Sequence, residues 1–156
     1  MTNAMPKIED SGIQLEIIRD FEGPLETVFD AWTNAEALRL WMGPNTAKCP
    51  KATANPVMNG EYCFPMEMEN GNVSTVVGHY TQIERPFRLA FSWSWLQEDK
   101  TIGQPMHVSL EFERLDTNRT RMKMLHVNFL DESSKSSHNE GWIGCFNCLD
   151  TFLNKK

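Results

Sequence analysis

Between residues 13 and 21 apolar and polar side chains alternate, and Ile13, Leu15, Ile17 and Phe21 share one parity. That is the period of a half-buried strand. The run ends at Gly23-Pro24, where proline's fixed φ suits the first position of a helix. Leu25, Val28, Phe29 and Trp32 then recur at spacings of three and four, which builds one apolar face on a short helix. Thr33-Asn34-Ala35-Glu36 matches a capping box, in which hydroxyl and carboxylate satisfy each other's backbone donors. A second short helix should run from there through Leu38 and Trp41 until Gly43-Pro44 stops it.

From residue 46 to 126 the punctuation changes to strand and turn. Asn59-Gly60 and Asn70-Gly71 are hairpin-type dipeptides, since Asn and Gly tolerate positive φ. Between them Tyr62, Phe64, Met66 and Met68 share one face by alternation. Further strands fit residues 73–83, 89–95, 107–115 and 120–127. Arg85-Pro86 and Asp116-Thr117-Asn118 supply turns, and residues 97–104 form a polar loop. Tyr80 and Ile83 differ in parity, which places a bulge between residues 78 and 83. Ser137-His138-Asn139-Glu140 is a second capping-box match. After it Trp142, Phe146, Leu149 and Leu153 form a helical stripe.

Strand, two short helices, a run of strands and a terminal helix describe an α+β chain with an antiparallel sheet. The terminal helix must bury its stripe on that sheet, because no other large apolar surface is available. At 156 residues, the chain makes one domain spanning 1–156, with an ordered core expected from about 13 to 154.

The chain resembles the activator-of-heat-shock-protein-ATPase homologue family, within the START-like, polyketide-cyclase-like superfamily. The resemblance lies in four motifs in order, which together span most of the chain. The first is Arg19-x-Phe21-x-x-Pro24-x-x-x-Val28-Phe29-x-Ala31-Trp32-Thr33, and the second is Trp41-x-Gly43-Pro44. The third is Gly78-x-Tyr80-x-x-Ile83-x-x-Pro86-x-x-Leu89-x-Phe91, and the fourth is Gly141-Trp142 with spaced leucines after it. Asn59-Gly60 departs from a usual Gly-Gly pair, and Cys145-Phe146-Asn147-Cys148 is not a family feature. The resemblance implies a helix-grip fold: a curved, seven-stranded antiparallel sheet holding a long C-terminal helix, with an internal cavity. It implies little about activity, since such folds host different functions.

A net charge of −6 argues against binding nucleic acid, which needs a basic face, and disfavours an anionic membrane surface. No stretch is apolar enough to insert in a bilayer. Residues 1–7 contain no apolar run of the kind a signal peptide needs. A cytoplasmic location is therefore expected, with Cys49, Cys63, Cys145 and Cys148 kept as thiols. Cys145 and Cys148 fall inside the terminal helix, and no second CxxC or His-x-x-x-His accompanies them. Buried small side chains explain the pair better than a metal or redox centre, so no metal and no cofactor is expected.

The candidate ligand wall is aromatic and sulfur-rich. Trp41, Tyr62, Phe64, Phe91, Trp93, Trp95, Trp142 and Phe146 provide rigid apolar area with a few polar handles. Met66, Met68, Met122 and Met124 lie on similar alternating positions and re-pack easily. Plain core packing is the competing explanation for each of them. His126 shares parity with Met122 and Met124, so it faces inward. There it is either a satisfied core histidine or the one candidate for acid/base work. His79 points to the opposite face, while His107 and His138 are expected in solvent near element ends. No Gly-x-Ser-x-Gly elbow or phosphate loop is present.

Three functions follow. The first is binding of an apolar or aromatic small molecule between sheet and helix, oriented by His126 and Trp93, with access near Gly43-Pro44. The second is a cyclase-, dehydratase- or hydrolase-like enzyme working through His126. The third, suggested by the family resemblance alone, is a co-chaperone-like interaction module. A homodimer is left open.

Overall fold

The computed structural model describes residues 12–43 and 47–154. The elements run β1 (Gln14–Glu22), α1 (Leu25–Ala31), α2 (Ala35–Trp41), β2 (Thr53–Ala54), β3 (Glu61–Glu67) and β4 (Val73–Glu84). They continue with β5 (Arg88–Trp95), β6 (Met106–Asp116), β7 (Arg119–Val127) and α3 (Glu132–Leu153). The seven strands form one antiparallel sheet in the order β1-β7-β6-β5-β4-β3-β2. The last strand therefore returns beside the first, with Leu15 opposite His126 and Ile17 opposite Met124. This is the expected α+β helix-grip arrangement: α3 packs across β1 and against α2, while α1 covers the β6–β7 end.

Alternation decides which side chains face the helix. Tyr62, Phe64 and Met66 of β3, Phe91 and Trp93 of β5, Val108 and Leu110 of β6, and Met122, Met124 and His126 of β7 are all buried. The opposite face carries ion pairs such as Arg121–Asp20 at 2.8 Å and Arg88–Glu84 at 3.7 Å. These are half-exposed and add little stability. The bulge falls between Tyr80 and Gln82, inside the expected interval. The Asn70-Gly71 turn forms as expected, with Gly71 at φ 91°.

One glycine is dictated by close approach. A Cβ at Gly78 would collide with the Ser92 carbonyl and the Tyr62 ring. Its absence lets the Tyr62 hydroxyl reach under the sheet and donate to Ser92 O at 2.6 Å.

Two helix starts differ from the capping-box expectation. Asn34, not Thr33, caps α2, and its Oδ1 accepts from the backbone of Glu36 at 2.8 Å and Ala37 at 3.2 Å. Thr33 instead turns back and donates to Asp30 O at 3.3 Å. An Asn side chain reaches the second and third backbone donors without the carboxylate that the box requires. The terminal helix begins at Glu132 rather than Ser137, because Asp131 accepts from Ser134 N at 2.8 Å and caps it earlier. The Ser137-His138-Asn139-Glu140 match is therefore helix interior.

Candidate functional site

The early start of α3 creates the site. Residues 132–141 read Glu-Ser-Ser-Lys-Ser-Ser-His-Asn-Glu-Gly, with the His138 imidazole as the one ring and no Val, Ile, Leu, Met, Phe, Tyr or Trp. Beyond them the helix buries Trp142, Cys145, Phe146 and Leu149 and fills the sheet's concave face. The first half thus lies against an aromatic wall with only His138 to set against it. A cavity of about 330 Å³ results, lined by Met66 and Met68 from β3 and its end, Ser74 of β4, and Trp93 and Trp95 of β5. From the helix come Ser137, His138, Gly141, Trp142 and Cys145. Gly141 contributes space directly, since a Cβ there would meet no atom within 4 Å.

Of the expected ligand residues, Met66, Trp93, Trp95 and Trp142 stand on this wall. Phe64, Phe91, Phe146, Met122, Met124 and Trp41 are buried in the packing behind it. Trp41 also donates its indole hydrogen to Ala31 O at 2.8 Å. Tyr62 is spent on Ser92 and packs on Phe64 with ring centres 4.5 Å apart. His126 is fully buried just behind the wall, stacked on Phe129 at 4.4 Å and accepting at Nδ1 from Trp142 Nε1 at 3.0 Å. Pro44 lies outside the described residues. Gly43 is buried, and its backbone lies close to Cys145 of the cavity wall.

The histidines correct one expectation. His138 is not solvated: Nδ1 donates to Ser134 O at 2.8 Å and Nε2 accepts from Trp95 Nε1 at 2.9 Å. Both ring nitrogens are committed, which makes it a neutral bracket between helix and β5. His107 is half-buried on the outer face beside Thr81, 2.9 Å away. Burial lowers the pKa of all three, and for His126, whose ring lies 5.1 Å from that of His138, it falls well below the usual histidine value. Desolvation is the main cause, with His138 and His107 adding repulsion at His126. Burial also pushes the Cys145 thiol up to about 12, the opposite of what a nucleophile or metal ligand needs. Among the described residues no cluster of three metal-ligating side chains occurs.

The residues that sequence reasoning left out of the pocket were Ser74, Ser137, His138, Gly141 and Cys145. A usable signal existed. Extending the Trp142–Phe146 stripe backwards by helical steps lands on Gly141, His138, Ser137 and Ser134, a small and polar continuation of a core-facing stripe.

A larger depression of about 1150 Å³ lies on the opposite sheet face, along Gly78, Ser92 and Ser94. Its wall includes Glu61, His79 and Lys100, the water-facing charge pattern of an outer sheet surface. The inner cavity has the apolar walls and few polar groups that small-molecule sites show.

The model of one protein family, activator of Hsp90 ATPase homolog 1-like protein, matches residues 22–154. The solved structure of an AHSA1 protein from Silicibacter pomeroyi is similar to this chain at TM-score 0.83 and 24% identity, covering 90% of this chain and 97% of that one. A protein from Arthrobacter aurescens is similar at TM-score 0.82 and 22% identity, covering 97% of this chain and 91% of that one. A protein from Chromobacterium violaceum reaches 0.80 at 16% identity, covering 92% and 99%. At these identities the structures support the fold alone. No curated protein matches the chain. Among the described residues no helix is long and apolar enough to cross a membrane.

Proposed function

The chain belongs to the family of activator of Hsp90 ATPase homolog 1-like proteins, a START-like fold group that commonly holds hydrophobic ligands, and from that premise we propose that it binds an apolar or aromatic small molecule. The observation that carries this reading is the cavity of about 330 Å³ between the polar half of α3 and the Trp93–Trp95 wall. Burial of ligand surface there is worth about 25 cal/mol per Å² before ordering costs. Met66 and Met68 let the wall adapt to more than one outline. Trp142, bonded to His126, and Trp95, bonded to His138, fix the helix above the ligand.

The enzyme reading through His126 has less support. Its Nδ1 is occupied by Trp142, and among the described residues no carboxylate lines the cavity. Native mass spectrometry of protein purified from its host, followed by denaturing extraction, tests the binding reading. A reproducible apolar compound at near-stoichiometric amount is expected. A bare protein that also takes up no naphthalene-sized compound on titration contradicts it.

A further inference from the structure

We propose, building on that binding reading, that the cavity selects a neutral ligand bearing a hydrogen-bond acceptor (a ketone, quinone, ester or lactone oxygen on an apolar ring system) and that Trp93 Nε1–H receives it. Among the described residues, three buried side-chain polar atoms lack a partner within the protein: Trp32 Nε1, Trp93 Nε1 and His126 Nε2. All three are donors. Indole has no acceptor, and His126 takes the Trp142 hydrogen at Nδ1, so its neutral ring carries its own proton on Nε2.

The three rings also surround one place. Their centres lie 5.9, 4.8 and 6.1 Å from that of Trp142 for Trp32, Trp93 and His126 respectively. Of the three, Trp93 alone lines the cavity; it is only 2% exposed and Nε1 itself is covered, so a ligand reaches the donor by displacing a neighbouring side chain of the wall. Buried polar atoms are ordinarily paired, so each exception asks for a reason. A phenylalanine at 93 would keep most of the packing without the unpaired donor. A ligand acceptor provides the reason for the indole.

The chemistry of the wall limits that acceptor. Among the described residues no Lys, Arg, Asp or Glu lines the cavity. A carboxylate ligand would be desolvated without a counter-charge, and an ammonium would find no anion. His138 has both ring nitrogens engaged and resists protonation. The unmet demand is therefore for a neutral acceptor.

The test uses ¹⁵N-labelled full chain, whose five tryptophans give five indole signals. Three probes are titrated: 2-acetylnaphthalene, its isosteric alkene 2-isopropenylnaphthalene, and 2-naphthoate. The ketone should bind about tenfold more tightly than the alkene, bind more tightly than the anion, and alone move the Trp93 indole proton downfield. Trp93→Phe should bring the ketone-to-alkene ratio close to one. If that variant fails to fold, the wild-type ratio and indole shift decide. Equal binding of ketone and alkene with no selective Trp93 shift overturns the donor inference while leaving the cavity reading intact. Preference for naphthoate overturns the neutrality. No perturbation of Trp93 or Trp95 by any probe overturns both the inference and the binding reading.

Discussion

Gly141 sits in the interior of a helix, where glycine costs about 0.5–1 kcal/mol relative to alanine. It lines the cavity, and a Cβ there meets no atom within 4 Å. Gly141→Ala should therefore remove the penalty without a clash and raise stability by about 0.5–1 kcal/mol. For a chain of this size that is roughly 1–4 °C in Tm. Gly141→Leu should retain the helical gain and lay its branch against Trp93 and Trp95. Full burial of a leucine is worth about 1.5–3 kcal/mol, less about 0.5–1 kcal/mol of rotamer entropy, so stability should match or exceed that of the alanine variant. The same branch occupies the ligand's space, and affinity for a naphthalene-sized probe should fall at least about tenfold. Urea denaturation followed by circular dichroism reads the first effect, and quenching of tryptophan fluorescence reads the second. A stabilised, non-binding leucine variant would show glycine kept for the cavity at a cost in stability, a familiar trade. A destabilised alanine variant would mean the space is already filled. A leucine variant that binds like wild type would place the ligand elsewhere.

Gly78→Ala should behave oppositely: its Cβ meets the Ser92 carbonyl and the Tyr62 ring, and overpacking should cost about 1–3 kcal/mol, so a variant as stable as wild type in urea would refute the close approach. His126 has its pKa lowered well below its unfolded value, so the unfolded chain binds more protons as pH falls below about 6.5. Its contribution to stability is whole above that pH and is lost on acidification, with a slope of about 1.4 kcal/mol per pH unit. His107 and His138, less buried, add in the same direction; a His126→Gln variant with an unchanged slope between pH 7 and 5 would contradict this. Burial raises the pKa of Cys49 and Cys145 to about 12, so iodoacetamide at pH 8 should spare both in the native protein and alkylate all four cysteines in urea. Prompt native labelling of Cys145 would refute its sealed position.

Most of the sheet was legible because period two is a strong signal when one face is buried. β5 reads Arg-Leu-Ala-Phe-Ser-Trp-Ser-Trp, and β3 reads Glu-Tyr-Cys-Phe-Pro-Met-Glu. Those strands, and β7 with His126 facing inward, follow from parity alone. β2 has two residues, Thr53–Ala54, and two residues carry no period. The start of α3 was hidden because serine-rich segments are weak helix formers, and the Ser137-His138-Asn139-Glu140 match drew the expected start past the true cap, Asp131. That hidden start is also why His138 was expected in solvent. Parity placed Met66, Trp93, Trp95 and Trp142 at the sheet–helix junction. It could not separate wall from packing, since Phe91 and Trp93 share a face and only the second meets the cavity. The difference arises from what lies opposite, which is a three-dimensional fact about residues 132–141.

The central claim is that a ligand sits between the polar half of α3 and the aromatic wall. Nuclear Overhauser contacts between 2-acetylnaphthalene and side-chain methyl groups test it most directly, because methyl groups mark both candidate sites. Contacts to Met66 and Met68, with the Trp93 and Trp95 rings, are predicted. Contacts confined to Val77 and Ile102, on the outer depression beside Gly78, would contradict the account.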